Sequence, residues 1–262
     1  MNRHNFASYK DKYETISLER TDDGILTVTL HALNDPDSSV SYDAPYDWHY
    51  PHVEWSYCFY DIARDYHNEV VILTHAGPDF IKEEPISLGK SESVPALLWD
   101  KNMTNGYWLQ LGLLSIECPV IGVVKGAALV HGELITQSDI VLCSEDVRFQ
   151  DGHFNGGFLA PGDGVQISWP FVLGPTRGSY FLMTGQVLDA QQALSLGVVN
   201  EVLPADQLLP RAHQLAEEIL RRPKLVRRYA RIMGTHAARI KMTEQLGFGL
   251  ALEGLSCVAE RE

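Results

Sequence analysis

Basic residues are scarce in this chain. Its 262 residues carry 21 lysines and arginines against 34 aspartates and glutamates, a formal net charge of −13 at pH 7. Nucleic-acid binding rests on neutralising phosphates with Lys and Arg, so nucleic acid is excluded as the expected partner. The same imbalance weighs mildly against any polyanionic ligand. Cysteines number only four (Cys58, Cys118, Cys143 and Cys257), scattered and with no CxxC pair. That excludes a disulfide framework and reads as reduced thiols in a cytoplasmic protein. No apolar run approaches the ~18 residues of a membrane span. The opening MNRHNFASYKDKYE is polar, without the apolar core of a signal peptide. Low-complexity segments, linkers and fixed-period repeats are also missing. The expectation is a soluble protein with no membrane partner.

What is present suits a globular enzyme-sized domain, with 45% hydrophobic and 21% charged residues. Two β-like runs, 15–21 and 25–31, flank Asp-Asp-Gly and predict a hairpin. A helical pattern follows near 53–66. The continuous apolar runs 69–75 and 119–126 suit buried parallel strands. Between them a helix is expected over 94–117, with apolar residues at Leu97, Leu98, Met103, Trp108, Leu111 and Leu114. Residues 133–145 read as a short helix passing into a strand, and 147–151 as another strand. Beyond Trp169 the chain turns helical, interrupted by a short strand in 198–204. Residues 205–222 form one helix, and 223–259 give one or two more with a break expected at Gly234. Alternating strands and helices predict an α/β core, divided here as 1–200 and a helical C-terminal region, 201–262.

The most informative stretch is FQDGHFNGGFLAPGDGVQISW, residues 149–169. It places His153 ten residues before Asp163, with Gly156, Gly157, Pro161 and Gly162 between them. Such a loop can fold back so that a carboxylate accepts from one ring nitrogen and leaves the other free to take a proton. The plainer reading is a surface loop, with Asp163 serving only as a helix N-cap. His49, His52 and His67 lack metal-site spacing, so no metal is expected.

The runs EVVILT, PVIGVVKG, SDIVLCSEDVRFQ, the PGDG turn and LTGQVLDAQQALSLGVVNEVLP, with the helical tail, resemble the crotonase (enoyl-CoA hydratase/isomerase) superfamily from about residue 15 to 258. The resemblance implies a spiral of stacked strand-strand-helix (ββα) turns with a helical C-terminal region, assembled as a homotrimer or a dimer of trimers. Members acting on coenzyme A thioesters carry an Ala-Gly-Ala-Asp type segment where this chain reads GPDFIKEE. They also carry a glycine run where it reads KGAALVHGELITQSD, with Val130 and His131 at expected glycines. Of the two hydratase glutamates, one matches Glu133 and the other is replaced by His153.

These departures resemble the β-diketone hydrolase branch typified by 6-oxocamphor hydrolase, which uses no coenzyme A. YCFYDIARDYHNEVVILT, GPDF, SIECPVIGVVKG, VRFQDG, APGDG and GFGLALEGL carry this closer likeness. It implies retro-Claisen cleavage of a carbon–carbon bond in a small diketone to a keto acid, with no cofactor. Residue by residue it matches His131 to a histidine on the substrate carbonyl, Asp163 to the dyad aspartate and Glu253 to an acid near the C-terminus. His52 and Trp48 match pocket residues. His153 matches the dyad histidine with a one-residue shift, because a proline after Gly152 is absent.

Bland readings stand beside each of these. His131 beside a strand is by default a core histidine. Glu253, between Leu252 and Leu255, either faces inward or sits in a salt bridge. Phe154 and Phe158, with Trp48, Trp55 and Tyr46, either wall a substrate pocket or pack the core. The rival functions are a coenzyme A-dependent hydratase or isomerase using Glu133, and a catalytically silent binding protein.

Overall fold

The structure, a computed structural model, describes residues 5–40, 49–82, 96–157 and 159–257. The predicted hairpin forms from β1 (Ile16–Arg20) and β2 (Ile25–Leu30), antiparallel with Ile16 opposite Leu30. Helix α1 (His49–Arg64) leads to β3 (Val70–His75), and α2 (Ala96–Leu114) to β4 (Val120–Val124). The short β5 (Ala127–Ala128), α3 (Gly132–Thr136), β6 (Ile140–Ser144) and β7 (Arg148–Phe149) follow. Then come α4 (Val165–Leu173), α5 (Pro175–Thr184), β8 (Leu188–Asp189), α6 (Ala190–Ser195), β9 (Glu201–Leu203), α7 (Ala205–Leu220) and α8 (Lys224–Cys257).

The main sheet runs β1-β2-β3-β4-β6-β9 and is parallel from β2 onward; β5, β7 and β8 form a second, smaller sheet. Every residue of β3 and β4 is buried, which explains their unbroken apolar sequences: both faces are covered. Val70 and Ile72 meet Leu208, Ala212 and Ala216 of α7 on one face. Val71 and Leu73 enter the larger core with Trp55, Phe59 and Leu113 on the other.

One expectation is refined and one is corrected. In α2, Leu97 and Trp108 are 81% and 58% exposed, while Leu109, Leu113 and Gln110 turn inward. Gln110 shares the inward face with these leucines because Glu133 and Gln137 satisfy its amide. The break expected at Gly234 is absent, since α8 runs unbroken through it. A mid-helix glycine costs only about 1 kcal/mol. Buried Arg231 anchors the helix on one side of it, bonding Ile116 O and Gln137 O and pairing with Asp139 at 3.0 Å. On the other side Met242, Leu246 and Leu250 pack against Leu114 and Ile167. That continuity brings the far end of α8 beside α2 and α4.

Candidate active site

His131 closes the segment after β5 and precedes α3. Its backbone is left-handed, φ 52° and ψ 23°, a region that favours glycine and that histidine enters more often than most residues. The ring is buried. Nδ1 donates to Glu133 Oε1 at 2.9 Å, and the same oxygen accepts from Gln110 Nε2 at 3.0 Å. Gln110 Oε1 accepts in turn from Gln137 Nε2 at 2.6 Å. On the other edge, His131 Nε2 lies 2.6 Å from Nε2 of His52 on α1, with the rings crossed at 79°. One proton must lie between those two nitrogens. Burial works to lower the His131 pKa, but the charge and hydrogen bond of Glu133, with help from Asp163, outweigh it and hold the group above its ordinary value.

After β7 the chain reaches buried Asp151, and His153 opens a single π-helical turn, His153–Gly157. Asp151 accepts from the His153 backbone amide at 3.3 Å, an aspartate bonding two residues ahead. Its two oxygens lie 3.0 and 3.2 Å from His153 Nδ1. His153 Nε2 points the other way, 3.6 Å from Asp163 Oδ2 and 3.6 Å from Glu253 Oε1. The hydrogen bond expected between His153 and Asp163 is thus a longer contact, and the bonded carboxylate is Asp151. The spacing of two residues lets Asp151 reach the ring from within the same turn. Asp163 lies between the two histidines, 3.7 Å from His131 Nδ1.

Asp163 and Glu253 are neighbours because the PGDG turn touches α8 backbone to backbone. A Cβ on Gly162 would collide with Gly249 O and lie 2.8 Å from Glu253 Cβ. Burial pushes His153 down, yet Asp151, Asp163 and Glu253 together hold it well above its ordinary value. Burial raises Asp163, but His153, His131 and His52 outweigh this and keep it low. Glu253 is raised well above the carboxylate range by burial first and by Asp163 second. The N-cap position of α4 is Gly164, and the backbone amide of Val165, the first residue of that helix, also helps to keep the Asp163 carboxyl low.

One cavity holds these groups. His52, His131, His153, Asp163 and Glu253 all line it, against apolar walls from Trp99, Leu109, Leu129, Val130, Leu159 and Leu250. Phe154 does not line it and is 44% exposed. His153 takes the inward direction of the turn, and the next residue of a helical turn faces away. Trp48, Phe158 and Tyr46 lie outside the described residues. Trp55 is core, stacked on Phe80 at 6.3 Å. Sequence reasoning missed Asp151, Gln110 and Asn102, all on the cavity wall. Only Asp151 left a signal, its two-residue spacing from His153. Among the described residues, two sets have ligand atoms close enough to share a cation: His153, Asp163 and Glu253, and His131, Glu133 and Asp163.

Comparisons with known proteins place this architecture. A β-diketone hydrolase from the cyanobacterium Anabaena sp. PCC 7120, solved with (S)-3-oxocyclohexyl acetic acid, is 42% identical. The match covers 95% of this chain and 96% of that one, with a TM-score of 0.86. An enoyl-CoA hydratase/isomerase from Mycobacterium paratuberculosis is 27% identical over 95% of this chain and 96% of its own, with a TM-score of 0.81. Among curated relatives, a carnitinyl-CoA dehydratase of Proteus mirabilis is 29% identical over 55% of this chain, and a crotonyl-CoA hydratase of Syntrophomonas wolfei 30% over 56%. The chain spans 54% and 61% of those two relatives' lengths. The family model for enoyl-CoA hydratase/isomerase matches residues 59–252. The chain therefore belongs to the enoyl-CoA hydratase/isomerase family, the crotonase superfamily, and has its α/β fold with a helical C-terminal region.

Proposed function

We propose that the protein hydrolyses a carbon–carbon bond of a β-diketone, by retro-Claisen cleavage to a keto acid, without a cofactor. The observation that carries this reading is the convergence of three histidines and three carboxylates, Asp151, Asp163 and Glu253, in one apolar-walled cavity. The reaction needs a base for water, a donor for the oxyanion and an acid for the departing carbanion. In its neutral form, reached only above its raised pKa, His153 takes a proton from water on Nε2 as the water oxygen bonds to one carbonyl carbon. The proton held between His131 Nε2 and His52 Nε2 turns to the oxygen that becomes negative when that oxygen enters beside the pair. When the carbon–carbon bond breaks, its electron pair enters the second carbonyl as an enolate, whose carbon takes a proton from the imidazolium or from Glu253. One water is consumed, and the products are a carboxylic acid and a ketone, joined in one molecule when the diketone is cyclic. The Anabaena relative holds such a keto acid.

Incubation with a panel of cyclic 1,3-diketones, read by mass spectrometry, tests the proposal. A product one water heavier, formed equally well in EDTA, is expected. Turnover of crotonyl-CoA with no diketone cleaved would overturn it in favour of a hydratase built on Glu133. In the structure Glu133 Oε1 is already engaged by both His131 and Gln110. No turnover of either substrate would favour a silent binding protein. We also propose a homotrimer or dimer of trimers, supported by exposed Met233, Phe248 and Leu255 along α8 and checked by light scattering. Among the described residues no helix is long and apolar enough to cross a membrane.

A further inference from the structure

We infer that Asp151 is the positioning residue that sets the tautomer and orientation of His153, and that Asp163 instead pairs with Glu253 on the nitrogen that meets substrate. The inference deepens the hydrolase reading and rests on it for its kinetic part only.

The argument is geometric. A neutral imidazole has one N–H and one lone pair, and the group bonded to one nitrogen decides the state of the other. Both oxygens of Asp151 lie within 3.2 Å of Nδ1, and Asp151 also accepts the backbone amide of the same residue. Asp151 is buried, so its charge has little water to turn to and is held by these donors. Nδ1 is therefore the N–H, enclosed by its own turn. Were Asp163 the orienting partner, it would have to hold a proton on Nε2, leaving Nδ1 as the base. Nδ1 faces Asp151, not the cavity centre. The lone pair consequently sits on Nε2, beside Asp163 Oδ2 and Glu253 Oε1. When Nε2 takes the proton of the attacking water, the imidazolium lies between Asp151 on one edge and Asp163 on the other. Asp151 stabilises that charge from the Nδ1 edge.

The test is nitrogen-15 NMR of the labelled full chain, with His153 assigned by its loss in His153→Gln and spectra carried to alkaline pH, where the ring is neutral. Wild type and Asp163→Asn are expected to show the Nδ1–H tautomer. Asp151→Ala is expected to shift His153 to Nε2–H, and Asp151→Asn to lower its titration midpoint. In kinetics on a cleaved diketone, Asp151→Asn should lower kcat by ~10², with KM changed less than about threefold. It should also move the acid limb of the pH profile to lower pH, and Asp151→Glu should recover part of the rate. An Nε2–H tautomer in wild type, or one that follows Asp163 rather than Asp151, would overturn the inference. If Asp151→Ala does not fold, the Asp151→Asn midpoint decides alone: unmoved, it overturns the assignment. Failure of wild type to cleave any diketone would sink the hydrolase reading and leave the NMR result to judge Asp151 separately.

Discussion

Asp163 and Glu253 reach the same ring nitrogen from opposite parts of the chain, each 3.6 Å from His153 Nε2. Asp163 comes from the turn before α4 and Glu253 from the last turns of α8. Their environments push them apart: three histidines hold Asp163 low, while burial and the Asp163 charge drive Glu253 up. One is set to be a carboxylate and the other a carboxylic acid, the split that acid–base sites use.

Glu253→Gln should therefore stabilise the fold and lower the rate. A buried carboxyl that keeps its proton when folded costs stability as pH rises above the ordinary carboxyl value, because the unfolded chain gives the proton up more easily. Glutamine removes that cost. The melting temperature at pH 7–8 is expected to rise relative to wild type, with kcat reduced. A lower melting temperature would mean that Glu253 is folded as a paired anion.

Gly249→Ala should act on the site from outside it. The added methyl would collide with Gly162 O and with the Gln166 amide. Forcing the turn off α8 is expected to cost about 1–3 kcal/mol and to separate Asp163 from Glu253. Urea denaturation reads the first effect and kcat the second. Full activity in a destabilised variant would show that the carboxylate pair is not needed.

His131 separates a backbone effect from a side-chain one. Both His131→Gly and His131→Ala remove the ring and leave Glu133 without that partner, so the difference between them reports the left-handed backbone alone. Glycine is expected to be more stable than alanine by about 1–2 kcal/mol. Both should lose ~10²–10³ in rate if the ring is the oxyanion donor. Rates within a few-fold of wild type would mark the ring as structural.

His75 should make the fold acid-sensitive. Burial pulls it down to about 4, with Nδ1 bonded to Ala76 O and Nε2 accepting from the Lys125 amide. A histidine kept neutral by the fold contributes nothing against unfolding pressure above its unfolded value, near 6.5. As pH falls from there toward 4, the unfolded chain gains the proton first and the native state loses ground. The loss is bounded at ~3 kcal/mol. Melting curves of wild type and His75→Gln should converge across that window on acidification. Parallel curves would assign the acid sensitivity to other groups.

The element order could be read from the sequence because it is local. β3 and β4 are covered on both faces, so each is a continuous apolar run, and the β1–β2 hairpin alternates around its turn. The residues that gather in the cavity, His52, His131, His153, Asp163 and Glu253, were each legible through the family likeness. Which carboxylate holds which nitrogen was not. That depends on the direction in which His153 leaves β7, and on two glycines, Gly162 and Gly249, that let a loop touch a distant helix. The inward turn of Gln110 was equally hidden, since a polar residue goes inside only when partners as remote as Glu133 and Gln137 are there to satisfy it. Periodicity encodes which face of an element is apolar. The pairing of buried charges is decided by desolvation, and that exists only once segments far apart in sequence have packed together.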